Sequence, residues 1–386
     1  MMLALLLLVA QDLKVSTGFP GGSAEVQSVD AGARAVRILP SDHPDRGWRC
    51  WWYFRLDGLR PGETVTIDVG DAPWATPDRA MTSVDDREWV HTPAGTRTGK
   101  RIAYAVEAKA ATQWFAWGPP FTLRHAEEAV AAAVKARPSA KAFELAKTRD
   151  GRGVPALRIA ETDAADRFGV WIQARQHAWE SGGSWVGRGF AEWVSSDDPR
   201  AAALRRRAEI VYVPVMDVDN AERGAGGKEA KPQDHNRDWS DEPHHPEVRA
   251  AQAAIRAMAD AGRFDVFIDL HNPAANDPTF FFMGVKDALP ERGRRNHESF
   301  FAAAKAEMTG PLSFGGLVRE SGPNYDPKNW QKISKNWVVR NAREHAVALT
   351  LETAWNRPAS TPENYLRVGR ELGLAIERTL QPGFRD

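Results

Sequence analysis

Over the first third of the chain, apolar and polar residues alternate in short runs separated by turn residues. Residues 51–59 (Trp-Trp-Tyr-Phe-Arg-Leu-Asp-Gly-Leu) and 64–69 flank Arg-Pro-Gly-Glu at 60–63, where proline and glycine supply turn chemistry. Similar runs at 101–107 and 113–117 continue the pattern, and short strands without long helices predict a small all-β sandwich over residues 11–124. The pattern then changes. Residues 125–136, 246–261 and 298–308 carry helical periodicity, and Gly262 closes the second of these stretches. Ser-Thr-Pro-Glu at 360–363 combines a capping-box pattern with a proline suited to a first helical position, so a last helix is expected to run to about Leu380. Apolar runs at 168–174, 209–214, 264–270 and 346–351 are short and rich in β-branched or aromatic residues, and read as buried strands. Strands alternating with helices predict an α/β domain over residues 125–386.

Polar residues with chemical potential stand where these apolar runs stop. His177 and Glu180, in Gln-His-Ala-Trp-Glu, follow the first run, and Gln-Asp-His-Asn-Arg-Asp-Trp at 233–239 follows the second after a glycine-rich stretch. His271 ends the third in Ile-Asp-Leu-His-Asn, and Glu352 ends the fourth in Leu-Thr-Leu-Glu-Thr. In open α/β sheets the carboxyl ends of the strands are where ligands bind. Two imidazoles and one carboxylate form a set that holds a catalytic zinc and leaves one coordination position for water. A His-x-x-Glu pair alone is commonplace; the shared location at strand ends is what singles out His177, Glu180 and His271.

The order of these segments, His177/Glu180, then Asn236/Arg237, then His271, then Glu352, resembles the zinc metallocarboxypeptidases, the group that contains the pancreatic and cytosolic carboxypeptidases. The resemblance implies a mixed sheet flanked by helices, one zinc per chain held by His177, Glu180 and His271, and Glu352 as general base. It implies that Asn236 and Arg237 grip the terminal carboxylate of a peptide substrate, a role that suits the planar donor fork of a guanidinium. Asp234 matches a carboxylate that orients a ligand histidine. The family arginine that polarises the scissile carbonyl has no direct counterpart: the stretch from Asn220 to Lys228 offers Arg223 or Lys228, and Tyr325 is the candidate for the tyrosine that covers the substrate. The Trp-x-Tyr-Phe-x-Leu…Gly-Leu-x-Pro-Gly run resembles the β domain that precedes the catalytic domain in the cytosolic branch. That branch suggests acidic C-terminal residues as one candidate substrate class. A deacylase or amidase, a peptidoglycan-peptide carboxypeptidase, and a non-catalytic peptide-binding homologue are the alternatives on the same scaffold.

Composition narrows the picture further. At 386 residues the chain has room for two domains, and its 51 basic and 51 acidic side chains cancel, so no global charge argues for nucleic acid or an anionic membrane as partner. The basic clusters at 205–207 and 292–295 read as solvated helix faces. The single cysteine, Cys50, excludes an intrachain disulfide and a cysteine-based zinc site, and is expected in the core. Residues 1–10 (Met-Met-Leu-Ala-Leu-Leu-Leu-Leu-Val-Ala) have the apolarity of a signal-peptide core and are too short to span a bilayer, so export to the periplasm or outside is expected, with a cytoplasmic location if that segment is a mistaken start or a buried terminal strand. No other segment is expected to span a membrane. Trp48, Trp51, Trp52, Trp114 and Trp117 are expected to fill the sandwich core rather than to form a carbohydrate platform, with some shaping a cleft. The long charged loop at 217–246 carries Asn236 and Arg237 and is expected to be functional; His244 and His245, before a proline, are expected to face solvent rather than hold a second metal.

Overall fold

The computed structural model describes residues 12–72 and 75–386, so the apolar segment 1–10 lies outside the described residues. The N-terminal part contains β1 (Lys14–Ser16), β2 (Glu25–Asp30), β3 (Ala35–Leu39), β4 (Tyr53–Asp57), β5 (Thr64–Gly70), β6 (Met81–Ser83), β7 (Val90–His91), β8 (Thr96–Thr98), β9 (Arg101–Glu107) and β10 (Thr112–Ala116). They form two sheets, β1-β4-β10-β6-β7 and β2-β3-β5-β9-β8. Period-two alternation sends Val65, Ile67 and Val69 of β5 and Ile102, Tyr104 and Val106 of β9 into one core with Phe54, Leu56 and Phe115 of the other sheet. Cys50, Trp51, Trp52 and Trp117 are buried in that core, whereas Trp48 and Trp114 are half-buried.

The second part opens with α1 (Leu123–Ala136), β11 (Ala140–Lys147), β12 (Gly153–Ala160) and β13 (Phe168–Ala174), and continues through α2 (Ser181–Val194), α3 (Pro199–Arg205), β14 (Ala208–Val213) and α4 (Val218–Arg223). After the long loop come α5 (Pro246–Asp260), β15 (Val266–His271), β16 (Phe280–Met283), α6 (Glu291–Glu307), β17 (Val318–Glu320), α7 (Ser334–Asn341), β18 (Val347–Glu352) and α8 (Pro362–Thr379). One mixed sheet, ordered β11-β12-β14-β13-β15-β18-β16-β17, is flanked by the helices. Its middle strands β14, β13, β15 and β18 run parallel. Buried on both faces, they are apolar almost throughout rather than alternating. Chain order reverses direction around β13, whose two parallel neighbours are β14 and β15, so the crevice at the carboxyl ends of these strands is the topological switch point.

Two local readings are corrected, and one helix stands where the sequence analysis placed none. α2 was not legible as a helix, because Ser-Gly-Gly-Ser-Trp-Val-Gly-Arg-Gly has poor helix propensity. Those glycines serve packing: a Cβ on Gly189 would lie 2.1 Å from the Leu366 carbonyl oxygen, so α2 and α8 approach backbone to backbone. The cap of α8 is Thr361, whose hydroxyl accepts from the Asn364 N–H, while the Ser360 hydroxyl donates to the Ala354 carbonyl. Arg205 is buried rather than solvated: its Nε donates to Glu161 Oε1 (2.7 Å) and its Nη1 to the Val194 carbonyl (2.7 Å).

Candidate active site

The turn after β13 sets the first part of the site. Arg175 sits at φ 67°, a left-handed conformation rare for a side chain of its size, and its buried guanidinium is tied to the carbonyls of Ala178 and Phe121. The chain thereby reverses sharply, and His177 and Glu180 turn back over the sheet edge. Glu180 closes the motif as the residue before α2: its Oε1 lies 2.8 Å from His177 Nδ1, and its Oε2 lies 2.6 Å from His271 Nδ1 and accepts from the Asn272 N–H (3.2 Å). His271 ends β15, and Glu352 is its register partner at the end of β18. His177, Glu180 and His271 are all buried, with ligand-type atoms within 4.8 Å of one another.

Each imidazole turns its other nitrogen toward a carboxylate. His271 Nε2 lies 3.1 Å from Asp269 Oδ2, and His177 Nε2 lies 3.8 Å from Asp234 Oδ1, an ion-pair distance too long for a hydrogen bond. Asp269 also accepts from the Ser334 hydroxyl (2.6 Å) and from Gln176, so the strand end is cross-braced. Sequence reasoning missed Asp269; the available signal was its place two residues before His271, which on a strand puts both side chains on one face. Burial opposes ionisation of Glu180, but His177 and His271 outweigh it and hold the carboxyl well below the usual range. Burial likewise disfavours charge on His271, yet Asp269 and Glu180 raise its pKa well above the usual value. The pocket between these groups thus favours positive charge. Two imidazole Nδ1 atoms converging on a carboxylate, each backed by a second carboxylate, form a donor set that fits a zinc ion.

A cavity of about 380 Å³ opens over this cluster. Glu352 projects into it with Oε2 buried and without a hydrogen-bond partner among the described residues, and burial raises its pKa to about 7 against the opposing effect of His271. Asn236 is fixed by the Ser334 N–H donating to its Oδ1 (3.0 Å), with Nδ2 3.3 Å from His271 Nε2. Arg237 gives its Nε to Asp326 (2.7 Å), which orients the guanidinium, and Tyr325 lines the same cavity with its ring against Phe282. Lys228 also lines the cavity, its ammonium 5.0 Å over the Trp48 ring. Arg223 does not join them. Gly224 ends α4 in a left-handed turn, and the exposed Arg223 pairs with Asp150 (2.6 Å) away from the cavity. Lys335 and Arg319 complete the cationic wall, over the rings of Phe282 (5.4 Å) and Phe280 (4.2 Å). Nothing in the local sequence distinguishes Lys335 from a surface lysine, yet it is fully enclosed, and burial lowers its pKa to about 7.

His244 and His245 are half-buried rather than solvent-facing, because Asp238 accepts both of their backbone N–H groups (2.9 and 2.8 Å). His235, His245 and Glu247 form a second His/Glu group. The rings of His235 and His245 stack at 3.8 Å with 17° between planes, so their in-plane lone pairs run side by side instead of converging on one ion. His235 lies between Glu247 (2.6 Å) and Asp217 (3.5 Å); despite burial, Asp217 and Glu247 raise its pKa to about 9. This cation between two carboxylates latches the loop that carries Asn236 and Arg237.

Both parts of the chain have relatives among known proteins. Residues 15–117 match the family profile of the cytosolic carboxypeptidase N-terminal domain, and residues 127–275 match that of zinc carboxypeptidases. An uncharacterized protein of Zymomonas mobilis is 27% identical over 287 residues, covering 71% of this chain and 72% of its own length. Cytosolic carboxypeptidase 1 of Danio rerio is 22% identical over 302 residues, covering 65% of this chain but 26% of its own length, so the chain spans about a quarter of that relative. Among solved structures, a metallo-carboxypeptidase from Burkholderia cenocepacia shares the fold with a TM-score of 0.81 at 23% identity, over 95% of this chain and 99% of its own. A Pseudomonas aeruginosa metallo-carboxypeptidase, solved with (2-guanidinoethylmercapto)succinic acid, does so with a TM-score of 0.78 at 21% identity, over 94% of this chain and 98% of its own. No helix among the described residues is long and apolar enough to cross a membrane. Residues 15–117 thus resemble the β domain of cytosolic carboxypeptidases and residues 127–275 resemble zinc carboxypeptidases, on a fold shared with metallo-carboxypeptidases, and these likenesses support a peptidase hydrolase.

Proposed function

We propose that the chain is a zinc-dependent carboxypeptidase that hydrolyses the last amide bond, peptide or isopeptide-like, of a substrate ending in a free carboxylate and an acidic side chain. The observation that carries this reading is one cavity that unites the His177/Glu180/His271 triangle, the unpartnered Glu352 oxygen and the braced Arg237 guanidinium. Zinc, when bound by the triangle, supplies a Lewis acid and lowers the pKa of a water. Glu352 takes a proton from the attacking water and returns it to the leaving amine, a role suited to a buried carboxylate with a pKa of about 7. Arg237 and Asn236 hold the terminal carboxylate. Lys228 faces the scissile carbonyl and offsets charge developing on its oxygen. Lys335, buried in the cavity wall with its ammonium 5.4 Å from the Phe282 ring, is the cation for the substrate's acidic side chain.

The test combines enzyme and substrate changes. Amidating the C-terminus of a peptide ending in glutamate and replacing Arg237 with alanine should each cost roughly 2–5 kcal/mol in kcat/KM, the range for one partner of a desolvated ion pair left alone. Together they should cost far less than the sum, since both remove one contact. Full additivity, or equal cleavage of free and amidated peptides, would overturn the carboxypeptidase reading in favour of a deacylase or endopeptidase on the same scaffold.

A further inference from the structure

We infer that the N-terminal β domain is a working part of the active site: its segment 45–48 fixes the loop that carries Lys228, and Trp48 is the positioning residue for the Lys228 ammonium. This rests on the reading of Lys228 as the carbonyl-facing cation. The two segments run side by side as a backbone ladder. The Trp48 N–H donates to the Lys228 carbonyl (2.9 Å), the Gly227 N–H to the Arg46 carbonyl (2.8 Å) and the Lys231 N–H to the Asp45 carbonyl (2.8 Å). No side chain fits between them: a Cβ on Gly226 would lie 2.0 Å from the Trp48 carbonyl oxygen, and one on Gly47, at φ 88°, would lie 2.4 Å from that of Lys228. The ladder is tied onward to the metal-binding turn, since the Trp179 N–H donates to the Gly226 carbonyl (3.1 Å) next to Glu180.

The side chains repeat this arrangement. Trp48 stacks on Trp179 at 6.3 Å with 28° between the rings, and Lys228 Nζ sits 5.0 Å over Trp48. Trp48, Trp179, Lys228 and Glu352 all line the same cavity. A lysine is a point charge on a flexible four-carbon stem, unlike the rigid fork of an arginine, so a lysine polarising a carbonyl needs an external guide. The electron-rich face of an indole provides one while leaving the ammonium's hydrogens available to a substrate oxygen. A domain that shares no catalytic residue with the rest of the site therefore decides where a catalytic charge stands.

The experiment is a double-mutant cycle on the full-length, zinc-loaded protein with Trp48→Ala, Lys228→Ala and the pair, assayed on a peptide with a free C-terminal glutamate. Trp48→Ala should lower kcat about 3- to 30-fold, the range of a partly desolvated cation–π contact, and leave KM within about twofold. Trp48→Phe should recover most of the loss. Zinc content and melting temperature should stay at wild-type values for Trp48→Phe, which keeps an aromatic ring in place even if Trp48→Ala folds poorly. In the Lys228→Ala background, the Trp48 substitution should have no further effect on kcat. An equal effect of Trp48→Ala with and without Lys228, or no effect in either, would overturn the inference. If Lys228→Ala itself leaves kcat/KM unchanged, the assignment of Lys228 to the carbonyl falls, and the positioning role with it.

Discussion

Replacing Gly369 by alanine sets two calculable effects against each other. In an isolated helix the change would stabilise by about 1 kcal/mol, because glycine is the poorest helix former after proline. Gly369, however, lies in α8 where it crosses α2, and a Cβ added there would stand 2.0 Å from the Val186 carbonyl oxygen and 2.5 Å from the Phe190 nitrogen. Carbon–oxygen contacts across helix interfaces are normally about 3.3–3.6 Å, so the backbones would have to part by more than about 1 Å. Neither obstacle is a side chain that can rotate away. Overpacking costs about 1–3 kcal/mol where neighbours can adjust, and a backbone obstacle belongs at the upper end. About 3 kcal/mol lost against about 1 gained leaves a net destabilisation of about 2 kcal/mol, or a fall in melting temperature of about 4–8 °C. Differential scanning calorimetry of both proteins measures it. Because α2 starts immediately after Glu180, chelator competition should also show weaker zinc retention. A melting temperature equal to or above wild type would refute the argument that α2 and α8 touch through backbone.

The other predictions concern the site and the sheet. Glu352→Gln should retain one zinc per chain by elemental analysis while kcat falls about 10²–10⁴-fold; activity within tenfold of wild type would move the proton acceptor elsewhere. Lys335→Met should reduce the preference for C-terminal glutamate over glutamine by about 10- to 100-fold, and in the wild type that preference should decline as pH rises through about 7, where the buried ammonium loses its proton; a flat preference between about pH 6 and 9 would exclude Lys335 from specificity. Arg385→Ala should cost roughly 2–4 kcal/mol of stability, because Arg385 donates two hydrogen bonds (2.6 Å each) to the fully buried Asp265 at the start of β15. Burial opposes ionisation of Asp265, but Arg385 and His345 outweigh it and lower its pKa, so this stabilisation is present above about pH 4 and is lost as pH falls through the depressed value. Urea unfolding curves for wild type and variant should therefore converge in acid, and a gap that widens there would contradict the pairing.

What the sequence determined by itself was local in its physics. A central parallel strand is apolar because both faces are covered, so the runs that became β13, β14, β15 and β18 were visible as strings, and the polar residue ending each was visible as a break. Alternation in β5 and β9, the glycine that closes α5 and the proline that opens α8 belong to the same class of signal. Tertiary structure decided the rest. α2 is a helix because its glycines admit the backbone of α8, a gain that propensity does not contain. Lys228 and Arg223 are equivalent cations in sequence; they separate only because Gly224 turns the chain and segment 45–48 of another domain holds the loop beyond that turn. Lys335 acquires its chemistry from enclosure, Asp269 from standing beside His271, His245 from stacking on His235, and Trp48 from standing over Lys228. Burial, and the charge a group carries once its neighbours are in place, arise from contacts between residues far apart in the chain, and such contacts leave no periodic trace in the order of its amino acids.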